Sequence, residues 1–141
     1  MADDDEDDCL LVSSAFEIAG TAGKVLMVGD GGELIEYLNR EGAFSDPARS
    51  PRPDLILLDL NMPRKDGREA LSEIKSDPRF NDVPVVVLTT SSADRDIVFC
   101  HKTGAASFIT KPVMFEDWVK LVEALPAFLN KDVRPSKNSE A

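Results

Sequence analysis

Polar side chains come directly after the apolar runs of this sequence, and an acidic pair lies near the start of the chain. Each apolar run is typical of a buried strand in a parallel sheet, and such sheets bind their ligands outside the carboxyl ends of the strands. We therefore expect these side chains to converge on one site. The candidates are Asp3, Asp4, Asp59, Asn61, Thr89 and Lys111.

The residue types in this set favour divalent-cation and phosphoryl chemistry. Carboxylates that lie a few ångströms apart repel one another unless a cation such as Mg²⁺ compensates them through oxygen ligands. The ammonium group of Lys111 adds a fixed positive charge and the hydroxyl of Thr89 adds a donor, so the site suits the oxygens of an added phosphoryl group. The carboxylate of Asp59 would then be the nucleophile and form an acyl phosphate.

Strand-like and helix-like segments alternate along the chain, which predicts an α/β fold with a parallel sheet and helices on both faces. A chain of 141 residues is long enough for one domain, which we place at 1–129, and the polar tail at 130–141 is predicted to be disordered. The predicted strands are Lys24–Val28, Asp54–Leu60, Val83–Leu88 and Ala106–Thr110, and the helices include one that ends near Gly20, one over Asp94–Lys102 and a last one broken at Pro126.

Composition and charge argue against several classes of protein. The chain carries 26 acidic and 16 basic residues, a formal charge of −10, which disfavours direct nucleic-acid binding because phosphate contacts need Lys and Arg. No apolar run approaches the roughly 18 residues of a membrane span, so we expect no membrane association. Two cysteines without metal-ligand spacing indicate free thiols in a reducing compartment, and we expect a cytoplasmic protein.

The ordered set of motifs resembles the receiver domain of two-component response regulators. The matching pieces are the acidic pair before the first helix, LILLDLNMP with Asp59, the Asp66-Gly67 pair, VVVLTT with Thr89, and FITKP with Lys111. The stretch from LILLDLNMP to the end of the next helix is most similar to the small single-domain regulators of bacterial phytochromes. The resemblance implies a flavodoxin-like, doubly wound parallel sheet of five strands in the order 2-1-3-4-5.

The resemblance also implies a role for each site residue. Asp59 would accept a phosphoryl group from a histidine kinase, and Lys111 would pair with that group. Asp4, Asp59 and the backbone carbonyl of Asn61 would bind Mg²⁺, with Asp3 acting partly through water. Such a protein is a phosphoacceptor that catalyses its own phosphotransfer and dephosphorylation rather than an enzyme in the usual sense.

Signalling would follow from a conformational switch. In the family pattern Thr89 moves to bond a phosphoryl oxygen, Phe108 turns inward, and the Lys111–Pro112 bond is cis. Phosphorylation would thereby bias the face formed by helix 4, strand 5 and helix 5. The implied partners are a sensor histidine kinase, here a phytochrome-like one, and a downstream target or phosphotransfer protein; a homodimer is also compatible.

The first strand departs from the family pattern. The acidic pair should end a full central strand, yet only Met1 and Ala2 precede it, so we expect a truncated first strand, either in a chain shortened at its start or in one helped by another chain. The alternative that KVLMVGD is strand one, with Asp30 as the acid, leaves 29 residues before Asp59. That length holds no intervening strand, and we reject this register.

Two other functions remain open from the sequence. A phosphatase of the haloacid dehalogenase type also uses a strand-end aspartate and Mg²⁺, but it needs a second aspartate where this chain has Asn61. A receiver-like scaffold that binds a partner without phosphorylation is the other alternative, and the short first strand favours it. Incubation with Mg²⁺ and acetyl phosphate would separate these functions.

Overall fold

The computed structural model describes residues 1–20 and 23–133, with side chains described up to residue 129. From residue 56 to residue 124 strands and helices alternate in the predicted order, whereas the first two helices follow each other without a strand between them. The strands are β1 (Ile56–Leu58), β2 (Val85–Thr89) and β3 (Ser107–Thr110); the helices are α1 (Glu6–Ala19), α2 (Gly31–Asn39), α3 (Gly67–Ser76), α4 (Asp94–Thr103), α5 (Phe115–Ala124) and α6 (Pro126–Val133), with a 3-10 turn at Gly42–Phe44.

The three strands form a parallel sheet in the order β1-β2-β3. All residues of β1 and β2 are buried, as expected for strands that are covered on both faces. Each strand is shorter than or shifted from its apolar run, because only residues with a paired neighbour join the ladder. The last pair between β2 and β3 is Thr89 with Thr110, so the two strands end side by side.

The start of the chain extends this sheet by single bridges. Ala2 pairs in parallel with both Val28 and Leu58, and it therefore lies between the segment before α2 and strand β1. Ala2 forms only these isolated bridges, so the segment before Asp3 is not one of the strands of the described sheet. The predicted strand at Lys24–Val28 is wrong: it forms only the bridge at Val28, since Met1 to Asp3 offer too little backbone to pair with the rest of it.

Side chains of the sheet alternate between two hydrophobic cores, which confirms helices on both faces. Ile56, Leu58, Val85 and Val87 pack with α2 and α3. The intervening side chains, such as Leu57 and Val86, pack with α1 and α5 around the buried Trp118. This alternation follows from the two-residue period of a strand.

The helix ends largely follow the sequence signals. Helix α1 ends at Gly20, whose φ of 65° is left-handed and suits glycine, and the break predicted at Pro126 separates α5 from α6. Helix α6 continues to Val133, so the backbone is helical beyond the predicted domain end at 129. The rest of the predicted tail, 134–141, lies outside the described residues. None of the described helices is long and apolar enough to cross a membrane.

Candidate functional site

The backbone register brings the acidic pair at the start of the chain next to Asp59. The Ala2 amide donates to the carbonyl of Leu57 at 2.8 Å, and the Asp59 amide donates to the carbonyl of Ala2 at 3.0 Å. On the other side, the Asp3 amide donates to the carbonyl of Val28 at 3.0 Å. Since Ala2 pairs with Leu58, the next residues on each segment, Asp3 and Asp59, come out at the same edge of the sheet.

Three of the predicted carboxylates form one cluster. Asp3, Asp4 and Asp59 each offer an oxygen within 4.8 Å of the others. Asp3 and Asp59 are 3% and 6% exposed, whereas Asp4 is exposed. Two acids are thus fixed by packing, and the third closes the cluster from the solvent side.

Lys111 supplies the cation that the sequence predicts beside this cluster. Its amide donates to the carbonyl of Thr89 at 2.9 Å, so the β2–β3 ladder sets where the side chain begins. Its Nζ lies 2.8 Å from Oδ2 of Asp3 and 3.4 Å from Oδ2 of Asp59. The predicted cis bond before Pro112 is wrong, because the described residues contain no cis peptide. The ammonium group reaches both carboxylates from the trans form, which is the lower-energy isomer of an X–Pro bond.

Asp8 is a site residue that the sequence analysis did not single out. Its Oδ2 accepts a hydrogen bond from Nζ of Lys111 at 2.6 Å, and its side chain is 17% exposed. Asp8 lies in the first turn of α1, whose N-cap is Asp5. The acids that follow Asp3 and Asp4 all have the character of a solvated helix start. Only the packing of α1 distinguishes Asp8 from its neighbours.

The electrostatics of this pocket are unbalanced. Burial raises the pKa of Asp3, although Lys111 and the amide of Asp5 oppose the shift. Burial also lowers the pKa of Lys111, but the hydrogen bonds to Asp3 and Asp8 more than offset that effect, so its pKa lies above the ordinary value. One ammonium group faces the carboxylates of Asp3, Asp8 and Asp59, which leaves the pocket with excess negative charge.

A buried oxygen in the same pocket is paired only with the ammonium group. Oδ1 of Asp3 accepts the amide of Asp5 at 2.9 Å, and Oδ2 is ion-paired with Nζ of Lys111 at 2.8 Å, without a further polar partner among the described residues. The excess negative charge and the all-oxygen donor set fit a hard divalent cation such as Mg²⁺ or Mn²⁺.

The loop after β1 is held against the neighbouring elements. The amide of Asn61 donates to Oδ1 of Asp59 at 3.4 Å, so the predicted ligand Asn61 lies beside the phosphoacceptor candidate. Gly67 opens α3 and donates to the carbonyl of Leu60 at 2.9 Å. A Cβ at Gly67 would clash with the carbonyl oxygen of Asp59, so this close approach requires glycine.

The two predicted switch residues lie outside the carboxylate cluster. Thr89 is fully buried at the end of β2, and its Oγ1 accepts a hydrogen bond from the amide of Ser91 at 3.3 Å. Phe108 is partly buried on β3 and packs against the core on the α2–α3 side. The structure places Thr89 next to Lys111 in the ladder; the movement of either switch residue stays a prediction.

Comparisons with known proteins agree with this geometry. The sequence model of the response regulator receiver domain matches residues 1–123. "Response regulator Rcp1" of Synechocystis sp. is 35% identical over 128 residues, which are 91% of this chain and 85% of that protein. The "Probable methanogenesis regulatory protein FilR2" of Methanothrix harundinacea is 36% identical over 129 residues, 91% of this chain and 80% of the relative.

Solved structures extend the similarity to the fold. The phosphorylated cyanobacterial phytochrome response regulator RcpA is 39% identical with a TM-score of 0.82, over 92% of this chain and 90% of that one. The Mn²⁺-bound form of Rcp1 is 35% identical with a TM-score of 0.80, over 90% and 89% of the two chains. The chain belongs to the response regulator receiver domain family, and its relatives include the phytochrome response regulators.

Proposed function

We propose that residues 1–129 form a receiver domain that accepts a phosphoryl group on Asp59 from a histidine kinase. One observation carries the proposal: the buried carboxylate of Asp59 lies in an oxygen cluster with Asp3 and Asp4 and within 3.4 Å of the ammonium group of Lys111. The similarity to response regulators, including one described as phosphorylated, supports the same reading. The kinase would be phytochrome-like, as for that relative.

The sheet order is part of this proposal. The bridges of Ala2 to Val28 and Leu58 correspond to the first two strands of the order 2-1-3-4-5, with β1, β2 and β3 as strands three, four and five. Asp3 and Asp59 then follow the adjacent strands one and three, and Lys111 follows strand five, on the far side of strand four. This is the switch point of the sheet, where ligands of such folds bind.

The reaction is a transfer of one phosphoryl group between a nitrogen or acyl donor and a carboxylate. An oxygen of ionised Asp59 forms a bond to phosphorus while the bond from phosphorus to the donor breaks, and the donor keeps that electron pair. When the donor is a phosphohistidine, its imidazole takes up a proton and leaves in the neutral form. When the donor is acetyl phosphate, acetate leaves. Lys111, already 3.4 Å from Asp59, stabilises the charge on the transferred group.

A divalent cation, Mg²⁺ in our proposal, fits the same pocket. Asp4, Asp59 and the carbonyl of Asn61 would hold it directly, and Asp3 would contribute partly through water. When bound, the cation neutralises charge on the phosphoryl oxygens. The Mn²⁺-bound form of the relative Rcp1 supports a divalent cation here. The protein would contribute by holding the buried side chains of Asp3 and Asp59 in one orientation.

The output would come from Thr89 and Phe108. Thr89 would leave its contact with Ser91 to donate a hydrogen bond to a phosphoryl oxygen, and Phe108 would turn into the vacated space. This change would alter the face formed by α4, β3 and α5. A downstream protein or a phosphotransfer protein would read that face, and dimer formation there is a further outcome of the same switch.

Intact mass measurement tests the proposal directly. The protein is incubated with Mg²⁺ and acetyl phosphate, and intact mass and free phosphate are followed with time. We expect one added phosphoryl group, absent in Asp59→Asn and retained in Asp54→Asn, a matched control at the exposed start of the same apolar run.

The alternative functions give different results in the same experiment. An unmodified wild-type mass would contradict the proposal and favour a phosphorylation-independent scaffold. Rapid release of phosphate from varied phosphate esters would favour a haloacid-dehalogenase-type phosphatase. That second result is disfavoured by Asn61, which stands where such an enzyme needs an acid.

A further inference from the structure

A second ionic cluster lies beside the candidate site and links α3 to α4. Arg68, in the first turn of α3, donates from Nε to Oδ1 of Asp96 and from Nη2 to Oδ2 of Asp96, each at 2.8 Å. The two groups thus form a bidentate pair between residues that are 28 positions apart in sequence. Bidentate guanidinium–carboxylate pairs are the strongest and most directional of the ion pairs in proteins.

The pair continues into the loop that follows Thr89. Oδ2 of Asp96 accepts a hydrogen bond from Oγ of Ser91 at 2.6 Å. The amide of Ser91 in turn donates to Oγ1 of Thr89 at 3.3 Å, and the amide of Ala93 donates to Oγ of Ser91 at 3.5 Å. Ser91 is therefore bonded to Asp96 through its side chain and to the hydroxyl of Thr89 through its amide.

The other end of the cluster is fixed to the loop of the phosphoacceptor candidate. Nη1 of Arg68 donates to both carboxylate oxygens of Asp66, at 3.2 and 3.0 Å. Asp66 is the N-cap of α3, and the next residue, Gly67, donates to the carbonyl of Leu60. We call Asp66, Arg68, Ser91 and Asp96 the Arg68 network; it connects the backbone after Asp59 with the loop after Thr89.

The central acid of the network is buried, unlike the acid of an ordinary surface ion pair, and the Arg68 side chain is 31% exposed. Asp96 is 5% exposed, and the hydrogen bonds from Arg68 and Ser91 lower the pKa of its carboxyl to about 2. By contrast, the pair between Arg79 and Asp77 lies on the surface just after α3, and the Arg79 side chain is 61% exposed. Exposed pairs contribute little, whereas a buried pair with satisfied hydrogen bonds fixes geometry.

We propose that Arg68 and Asp96 are positioning residues which act through Ser91 to hold Thr89 and the loop at 90–93 in the arrangement of the unphosphorylated protein. The inference rests on the proposed phosphoacceptor function and adds a control element to it. Thr89 must lose the hydrogen bond that it accepts from the amide of Ser91 before its side chain can turn to a phosphoryl group. The network therefore disfavours the phosphoryl-binding arrangement and limits how often the unmodified protein visits it.

Weakening the network should raise the rate at which Asp59 is phosphorylated. Asp96→Asn keeps the shape of the side chain but removes its charge, and Arg68→Gln removes the bidentate donor. For each variant we expect about a 3- to 10-fold faster initial phosphorylation by acetyl phosphate with Mg²⁺, because the net loss of one typical hydrogen bond shifts a two-state balance by about that factor. Arg79→Gln is the matched control, and its rate should equal that of the wild type.

A second measurement separates an effect through Thr89 from a general loosening. In a Thr89→Ala background, Asp96→Asn should no longer change the phosphorylation rate, since the hydroxyl on which the network acts is gone. An equal gain in both backgrounds would overturn the proposal. Should Asp96→Asn fold poorly, Ser91→Ala breaks the same connection with the Arg68–Asp96 pair intact, and it should give the same gain.

Amide hydrogen exchange tests the network without any phosphoryl donor. The exchange rates of Ser91 and Ala93 should rise in Asp96→Asn and Arg68→Gln and stay unchanged in Arg79→Gln. Unchanged exchange in the first two variants would overturn the proposal, as would unchanged phosphorylation rates. If the wild type takes up no phosphoryl group, the proposed function fails, and the exchange result still decides whether the network holds this loop.

Discussion

Two ionic clusters flank Asp59, and they differ in how completely their charges are matched. In the carboxylate pocket, one ammonium group, that of Lys111, faces the acids Asp3, Asp8 and Asp59. In the Arg68 network, one guanidinium faces only two acids and donates to both of them. The pocket also contains a buried oxygen, Oδ2 of Asp3, whose only polar partner among the described residues is that same ammonium group.

One acid in each cluster has a shifted pKa, and the two shifts have opposite directions. The pKa of Asp3 is raised, first of all by burial, whereas the pKa of Asp96 is lowered to about 2, first of all by Arg68. A raised acid pKa means that the folded protein disfavours the charged form, and a lowered one means that it favours it. The pocket has the larger excess of negative charge and is suited to an added cation, whereas each acid of the Arg68 network already accepts hydrogen bonds from the guanidinium.

Removal of the single cation of the pocket should have the largest effect. In Lys111→Met we expect phosphorylation of Asp59 by acetyl phosphate to slow by about 100- to 1000-fold, the usual cost of losing a group that stabilises transition-state charge. Initial rates from intact mass measure this. Lys120→Met, which removes a mostly exposed lysine paired with Asp117, is the control and should leave the rate unchanged; a similar loss in both variants would contradict the special role of Lys111.

An added divalent cation should stabilise the pocket but not the Arg68 network. Binding to the folded state alone stabilises a protein by about 2.7 kcal/mol at a cation concentration 100 times the Kd. We expect Mg²⁺ to raise the free energy of urea unfolding of the wild type, and this increment should be strongly reduced in Asp4→Asn. In Asp66→Asn the increment should persist, because Asn still caps the helix, although loss of the ion pair with Arg68 slightly lowers the basal stability. Equal increments in both variants would contradict the assignment of the site.

The parts of the pocket that end strands could be predicted from the sequence. Asp59, Thr89 and Lys111 follow apolar runs, and parallel strands bring their carboxyl ends to one edge regardless of where each strand begins. The prediction of a strand at Lys24–Val28 was wrong because strand pairing depends on the backbone that lies beside a segment. Met1 to Asp3 provide only a bridge and its flanking hydrogen bonds there. An apolar run therefore predicts that a segment is buried, but it does not predict whether the segment pairs with a neighbouring strand.

The residues that tune the site could not be predicted because their contacts are tertiary. Asp8 looks like any acid at a helix start, and its contact with Lys111 joins residues 103 positions apart. Arg68 and Asp96 lie on different helices, and no periodicity links them. The isomer of the bond before Pro112 was inferred from the resemblance, and a side-chain pattern carries no information about it.

The Arg68 network should make a pH-dependent contribution to stability with a known sign. The folded-state pKa of Asp96 is about 2, below its ordinary value of 3.8, so its stabilisation is present above pH about 4 and is lost as the pH falls through 2. We expect wild type to exceed Asp96→Asn by about 1–2 kcal/mol in free energy of unfolding near neutral pH. That difference should shrink toward pH 2 in urea titrations; a difference that stays constant with pH would show that Asp96 acts by shape alone.

The smallest expected effect concerns Asp8, the acid that competes for Lys111. Its carboxylate holds Nζ at 2.6 Å, closer than Asp59 at 3.4 Å, and its negative charge lies where a phosphorylated Asp59 would need the ammonium group. Asp8→Asn should therefore speed phosphorylation by acetyl phosphate by about 2- to 5-fold, a modest factor because the side chain is partly exposed and its charge is screened. Asp7→Asn, an exposed acid in the same helical turn, should leave the rate unchanged. A slower rate in Asp8→Asn would mean that Asp8 orients Lys111 for the reaction, and the excess charge of the pocket would then aid phosphoryl acceptance instead of restraining it.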